Sequence, residues 1–336
     1  MQRVTLADIA RKTGLNLSTV SRALSRPGRV SEDTRRQVER AAADLGYAAN
    51  IVARNLSRGT SDTIMVMAPN FADQAISPVF TEILLGVCNE ADVLGFNVMI
   101  QRHPRPCIPT ADVVKYLQSG IVDGVLLLAT NRWDLTRKLW PGAQPPAVVS
   151  LMQDMTGFGL TSVTAQEAEG FSHLVAYLLK RGYRSFAYVS GPEETSHEPV
   201  RRRAVEEHLA RNGLADQLVR LEGGPFDMAS GARAGQAYLA LPNRPRAVIC
   251  CSDALAVGFM RSMIEAGLSV PDDVAVAGYD GLDYTAFVTP PLTTVSQPSE
   301  EIGRAAMQAL ADLLRRRSSS TRLITLSPEL VVRNSA

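Results

Sequence analysis

From Ile64 to the C-terminus, short apolar runs alternate with stretches of helical period, and this alternation constrains the fold more than any other feature. Strand candidates are 64–68, 96–101, 124–129, 147–152, 186–190, 219–222, 247–251 and 274–278. Helical spacing of apolar residues covers 79–94, 167–181, 200–212, 228–241 and 254–266, with a later helix over 299–317. Strands that are apolar at every position are buried on both faces. Joined through helices they run parallel, with helices covering the sheet. So many units suit two doubly wound sheets better than one. The partial glycine pattern at Gly157 and Gly159 leads into strand-like sequence and reads as a loop, not as a phosphate cradle.

The first 60 residues follow a different pattern. Thr5 can cap a helix over 6–12, and Gly14 supplies a turn. Asn16 can cap a second helix over 17–24, with Val20, Ala23 and Leu24 inward. Ser31 opens a third helix, with Thr34 where a capping acid usually sits, and the helix reaches Leu45 before Gly46. Residues 50–57 read as one more helix, too short to persist alone in water, and 58–61 as a linker. Two short helices about a glycine turn describe a helix-turn-helix. A reading helix must be small-sided and polar outward to enter a major groove. Leu17, Ser18 and Arg22 face outward, and Thr5, Thr19 and Ser21 can bond phosphates. An αα-hairpin without a DNA role shares this outline.

Charge separates the two parts. Residues 1–60 hold eleven Lys or Arg against five Asp or Glu, a net +6, while the whole chain carries +1. A basic head on a mildly acidic body points to a polyanion met by the head alone. The apolar runs are far shorter than the ~20 residues of a membrane helix, and the N-terminus lacks the apolar stretch of an export signal. A cytoplasmic, nucleoid-associated protein without membrane contact is expected. The four cysteines include no CxxC pair, so neither a disulfide framework nor a metal or other cofactor is expected.

The motifs VTLADIA, STVSRAL, VSEDTRRQV and LGYAANIVARNL, followed by SDALAVG, GYDGLD and PPLTTVSQP, run through nearly the whole chain. In them the sequence resembles the LacI/GalR family of bacterial transcription regulators. The resemblance implies an α/β protein. An N-terminal helix-turn-helix head and hinge helix would precede a periplasmic-binding-protein-like core of two doubly wound parallel-sheet subdomains. The expected division is a DNA-binding domain at 1–49, a hinge and linker at 50–61, and a core at 62–336. Within the core, 62–162 plus 293–320 would form one subdomain and 163–292 plus 321–336 the other.

The resemblance places Leu17, Ser18 and Arg22 where the family reads bases. It makes Leu56 the wedge that the hinge inserts into the minor groove, with Asn50 at the hinge start and Ala53 as a small neighbour. A homodimer on a near-palindromic double-stranded operator is implied. The chain end at 331–336 leaves no room for a tetramerising leucine heptad. A small-molecule effector, such as a sugar, sugar acid or nucleoside, would bind between the subdomains. Its implied contacts are Phe80, Thr195, His197, Arg201, Phe226, Ser252, Asp253 and Asp280. His197 reads equally well as a loop histidine. The chain departs from the family pattern at Leu151 and Met152, where an acid usually follows the strand, at Ala165 for Asp, at Tyr177 for His and at Ala204 for Gly. The N-terminal side of the cleft is therefore expected to be the less polar one. The alternatives are a transport-type ligand-binding protein and an enzyme. The basic head speaks against the first, and four scattered histidines with no clustered acid speak against the second.

Overall fold

The computed structural model describes residues 4–25, 29–47, 59–68, 77–102, 110–128, 147–315 and 320–336. The chain forms two compact units, Met1–Asp62 and Thr63–Ala336. The hinge candidates Asn50, Ala53 and Leu56 lie outside the described residues.

The first unit contains α1 (Leu6–Thr13), α2 (Leu17–Ser25) and α3 (Glu32–Leu45). They close on a small core of Ile9, Val20, Ala23, Val38, Ala41 and Ala42, with Leu24 partly buried against it. The caps follow the sequence reading. The Thr5 N–H and hydroxyl donate to Asp8 Oδ2 at 2.9 and 2.7 Å. Gly14 takes the left-handed φ of +71° that ends α1 and is strained for other residues. Asn16 Oδ1 accepts the Thr19 N–H at 2.7 Å, and Ser31 Oγ accepts that of Thr34 at 3.3 Å.

Among the described residues, the second unit contains two six-stranded sheets. The first is built from β1 (Thr63–Ala68), α4 (Pro78–Leu94), β2 (Asn97–Arg102), α5 (Thr110–Gln118), β3 (Gly124–Leu128), β4 (Val148–Leu151) and β5 (Thr161–Ala165). The second contains α6 (Glu167–Lys180), β6 (Phe186–Ser190), α7 (His197–Arg211), β7 (Leu218–Glu222), α8 (Met228–Leu239), β8 (Ala247–Cys250), α9 (Asp253–Glu265), β9 (Ala275–Asp280) and β10 (Thr293–Ser296). Then α10 (Ser299–Leu314) and β11 (Leu323–Leu326) return to the first, and β12 (Glu329–Val331) closes the second. The strand orders are β11-β5-β4-β3-β1-β2 and β12-β10-β9-β8-β6-β7. Every pairing is parallel except β10 with β12, where the edge strand runs antiparallel.

The chain thus passes between the sheets at Gln166, at Gln297 and Pro298, and at Ser327 and Pro328. This corrects the expected subdomain limits. Thr161–Ala165 and Leu323–Leu326 pair within the first sheet, and Thr293–Ser296 within the second. The crossings fall at strand ends because a parallel strand must complete its ladder before the chain can leave the sheet. Two crossings are bonded to each other, the Gln166 N–H to Leu326 O at 2.9 Å and Ser327 Oγ to Gln166 Oε1 at 2.6 Å. Helix α7 begins at His197, three residues before the expected start. Pro199 lies in its first turn, where the backbone N–H has no helical partner and proline costs nothing.

Candidate functional site

Two sets of side chains stand out, one on each unit. On the head, Leu17, Ser18 and Arg22 lie on the outer face of α2, with Leu17 53% exposed. Thr5 is exposed, and Thr19 and Ser21 are half-buried beside that face. The Arg22 side chain folds back on its own helix, its Nε donating to Ser18 O at 3.1 Å and its Nη2 to Ser18 Oγ at 3.2 Å. Val20 and Ala23 turn inward and fix which face is presented.

In the second unit, the carboxyl ends of β8 and β9 and the start of α7 bring charged groups together. Along α7 the buried positions include His197, Glu198, Arg201, Ala204 and Val205, a helical stripe. It aims His197 and Arg201, one turn apart, at the same acid. That acid is Glu167, the first residue of α6, and sequence reasoning missed it. Arg201 Nε donates to Glu167 Oε1 at 2.9 Å, with Nη2 at 2.5 Å from the same oxygen. Arg201 Nη1 donates to Cys251 O at 2.7 Å. The guanidinium lies over the Tyr279 ring, 4.2 Å from its centroid, and Tyr279 stacks on Phe171 at 4.9 Å. His197 Nδ1 is 3.1 Å from Glu167 Oε1, so His197 is a buried histidine at the helix start and not a surface-loop histidine. Asp280 Oδ1 stands 3.8 Å from Arg201 Nη1 and accepts from Gln297 Nε2 at 3.1 Å.

Burial alone would raise the Glu167 pKa. The Arg201 and His197 charges and their hydrogen bonds outweigh it, leaving the carboxyl at about 2. Asp280 moves the opposite way. Burial pushes it well above the usual carboxylate range, and Arg201 offsets this only in part because Asp253 and Glu167 repel a further negative charge. Asp280 also has φ +130°, outside the region most side chains adopt. It is pinned there by the Gln297 N–H, which donates to its carbonyl at 3.2 Å.

The remaining expected contacts divide. Asp253 accepts the N–H groups of Gly281 and Leu282 at 2.8 and 2.9 Å on one oxygen and the Thr294 hydroxyl on the other. It fastens the loop after β9, and burial pushes its pKa up to about 6 against those bonds. Only glycine fits at position 278, since a Cβ there would come within 2.3 Å of Asp253 Oδ1. Ser252 Oγ caps α9 by accepting the Leu255 N–H, and Thr195 Oγ1 accepts the Glu198 N–H. Phe226 lies half-buried at the margin of the second core, while Phe80 is 6% exposed inside the first. His197, Arg201 and Asp280 are therefore gathered at one place, with Glu167 and Gln297. Ser252, Thr195 and Asp253 hold the local fold. Among the described residues no cluster of side chains fits a metal ion, and no helix is long and apolar enough to cross a membrane.

A helical head with an outward-reading second helix, carried by a two-sheet core with polar groups at its strand ends, defines a ligand-responsive DNA-binding regulator. Residues 5–50 match the model for bacterial regulatory proteins of the lacI family, and residues 175–336 that for a periplasmic binding protein-like domain. The HTH-type transcriptional repressor CytR of Escherichia coli (strain K12) is 32% identical over 331 residues, covering 98% of this chain and 96% of that protein. The ribose operon repressor of the same strain is 30% identical over 334 residues, covering 99% of each. Among solved structures, the lac repressor dimer bound to operator and the anti-inducer ONPF aligns over 99% of both chains, with TM-score 0.87 and 26% identity. The chain belongs to the LacI family of bacterial regulatory proteins and is a DNA-binding transcriptional regulator.

Proposed function

We propose that this regulator is a repressor acting as a cytoplasmic homodimer on a near-palindromic operator. A small molecule held beside Arg201 and Asp280 controls its affinity. It has no enzymatic activity. The observation that carries this reading is the pairing of an exposed, DNA-shaped face on α2 with a buried charged cluster at strand ends, where open α/β sheets bind ligands. Leu17, Ser18 and Arg22 read bases, Arg22 by a bidentate contact to guanine and Leu17 against a thymine methyl. Thr5, Thr19 and Ser21 position the head on phosphates. Asn50, Ala53 and Leu56 supply the hinge and its minor-groove wedge. The effector is a sugar, sugar acid or nucleoside. One relative is a ribose operon repressor, and a structure 28% identical to this chain, TM-score 0.71, is a CelR–cellobiose complex. Effector and operator are linked by a coupling free energy of about 1–3 kcal/mol, a 5–150-fold change in operator affinity.

Selection of duplexes from a random pool tests the DNA half. The expected product is a near-palindrome with half-sites roughly one helical turn apart. Recovery of no common sequence would overturn it. A screen of sugars, sugar acids and nucleosides by thermal shift, followed by titration of operator affinity, tests the effector half.

A further inference from the structure

The charged cluster also constrains what kind of molecule it accepts. An arginine fork is ordinarily the group that would grip a carboxylate or phosphate. Here that fork is engaged from within: Nε and Nη2 face Glu167, Nη1 faces the Cys251 carbonyl, and the planar face covers Tyr279. The pair is buried, with the arginine side chain 4% and the glutamate 9% exposed. Asp253 and Glu167 repel negative charge at Asp280, and Asp253 likewise acts on Glu82 of α4. An incoming anion would meet an arginine fork already paired with Glu167, with the Asp280 carboxyl 3.8 Å from its remaining nitrogen. The polar atoms left over include one that can only accept. Among the described residues Gln297 Oε1, an acceptor, and the Tyr279 hydroxyl, which can accept or donate, are buried without hydrogen-bond partners. The Gln297 amide nitrogen already holds Asp280.

We infer that Glu167 sets the charge selectivity of this site. By occupying Arg201 it makes the site accept a neutral or cationic ligand rich in hydroxyl or amino donors, and reject carboxylates and phosphates. The inference rests on the reading of this cluster as the effector site and narrows it: sugars, amino sugars and nucleosides remain, while sugar acids, sugar phosphates and nucleotides do not. Glu167 acts through Arg201 and is a positioning and specificity residue.

The test uses the full-length protein with inorganic phosphate as the probe, read as a saturable rise in unfolding temperature over chloride at equal ionic strength. Phosphate bound by the basic head is common to all variants and is removed by comparison with an Arg201→Gln background. The wild type is expected to show no Arg201-dependent saturation. Glu167→Gln frees the fork and is expected to gain it at millimolar phosphate, and Glu167→Gln/Arg201→Gln to lose it again. Glu167→Asp keeps the charge and is expected to behave as the wild type. Saturation in the wild type that disappears in Arg201→Gln overturns the inference, whether or not the other variants fold. A folded Glu167→Gln that gains nothing overturns it too. Operator affinity measured on the same samples separates the two claims. Arg201-dependent phosphate binding to Glu167→Gln that leaves operator affinity within twofold upholds the charge selectivity and removes the effector reading.

Discussion

The head and the core handle molecular recognition in opposite ways. In the head, six small or medium side chains form the buried core among the described residues, and the residues proposed to read bases stand outside it on exposed positions of α2. In the core, the groups proposed to meet the effector are themselves buried and bonded to one another. A macromolecular groove can be met by side chains that are free beforehand. A small polar ligand needs charges held in a dry cleft, and those charges must be paired to be tolerated there. Substitutions at reading positions in the head should therefore change affinity without changing stability. Substitutions at recognition groups in the core should change both.

The largest effect is expected at Arg201. Arg201→Ala leaves Glu167 buried and charged with only His197 beside it, and one-sided loss of a buried pair costs about 3–5 kcal/mol. The double variant Arg201→Met/Glu167→Met removes both charges at similar volume and should recover most of that loss. Urea unfolding of the three proteins decides it. If the double variant is as unstable as Arg201→Ala, the pair is not a coupled unit, and the contrast between buried and exposed recognition loses its basis.

Acid should expose the same pair. The Glu167 pKa is about 2 in the folded chain, against an ordinary 4.5. As pH falls below 4.5 the unfolded chain takes up this proton first, so the stability the carboxylate contributes above 4.5 drains away toward pH 2, by about 3 kcal/mol in total. Asp253 has the opposite sign. Its pKa of about 6 against 3.8 means the folded state takes the proton first, and stability rises as pH falls from 6 toward 4. Stability should therefore climb gently below neutrality and then fall steeply. Glu167→Gln should remove the steep acid limb and leave the gentle rise. An unchanged acid limb in that variant would mean that other carboxylates govern acid unfolding.

How far the sequence revealed these sites depended on the kind of signal each carries. The head was readable almost to the residue, because caps, glycine turns and helical period are local. Most strands of both sheets were readable as apolar runs. The strands Thr293–Ser296, Leu323–Leu326 and Glu329–Val331 were not: the buried positions of the first are mostly hydroxyl-bearing and satisfied by bonds invisible in one dimension, such as Thr294 to Asp253, and the other two are short, partly exposed edge strands without an apolar run. Arg201 and Asp280 were found through family motifs. Glu167 was missed because an acid in the first turn of a helix ordinarily caps the dipole and faces solvent. A usable clue was present two residues earlier. Where the family carries an acid at the end of β5, this chain has Ala165, and the carboxylate returns at 167 on the far side of the crossing.

On the head, Arg22→Ala should weaken operator binding by about 1–3 kcal/mol and relax base preference. Arg22 is exposed and, among the described residues, its bonds run to Ser18 on its own helix, so unfolding free energy should stay within roughly 0.5 kcal/mol of the parent. Equilibrium binding to a panel of operator variants, set beside urea unfolding, measures both. An unchanged rank order across the panel would show that Arg22 does not read bases.

The smallest effect is expected where the head holds its reading helix in place. Asn16 Oδ1 accepts the Thr19 N–H at 2.7 Å and the Ser18 hydroxyl at 2.8 Å. It thus caps α2 and fixes a side chain on the reading face. Asn16→Ala removes a cap worth about 1 kcal/mol, and the loss is expected to fall on the head alone, because head and core are separate compact units. Amide exchange should quicken across α1 to α3 by roughly fivefold, the factor that corresponds to 1 kcal/mol, while the strands of both core sheets keep their protection. Freeing Ser18 also frees the hydroxyl to which Arg22 folds back, so the operator affinity of this variant should fall less than that of Arg22→Ala. Faster exchange that spread into β1 or β9 would show that head and core share stability, and the separation of their two recognition strategies would no longer hold.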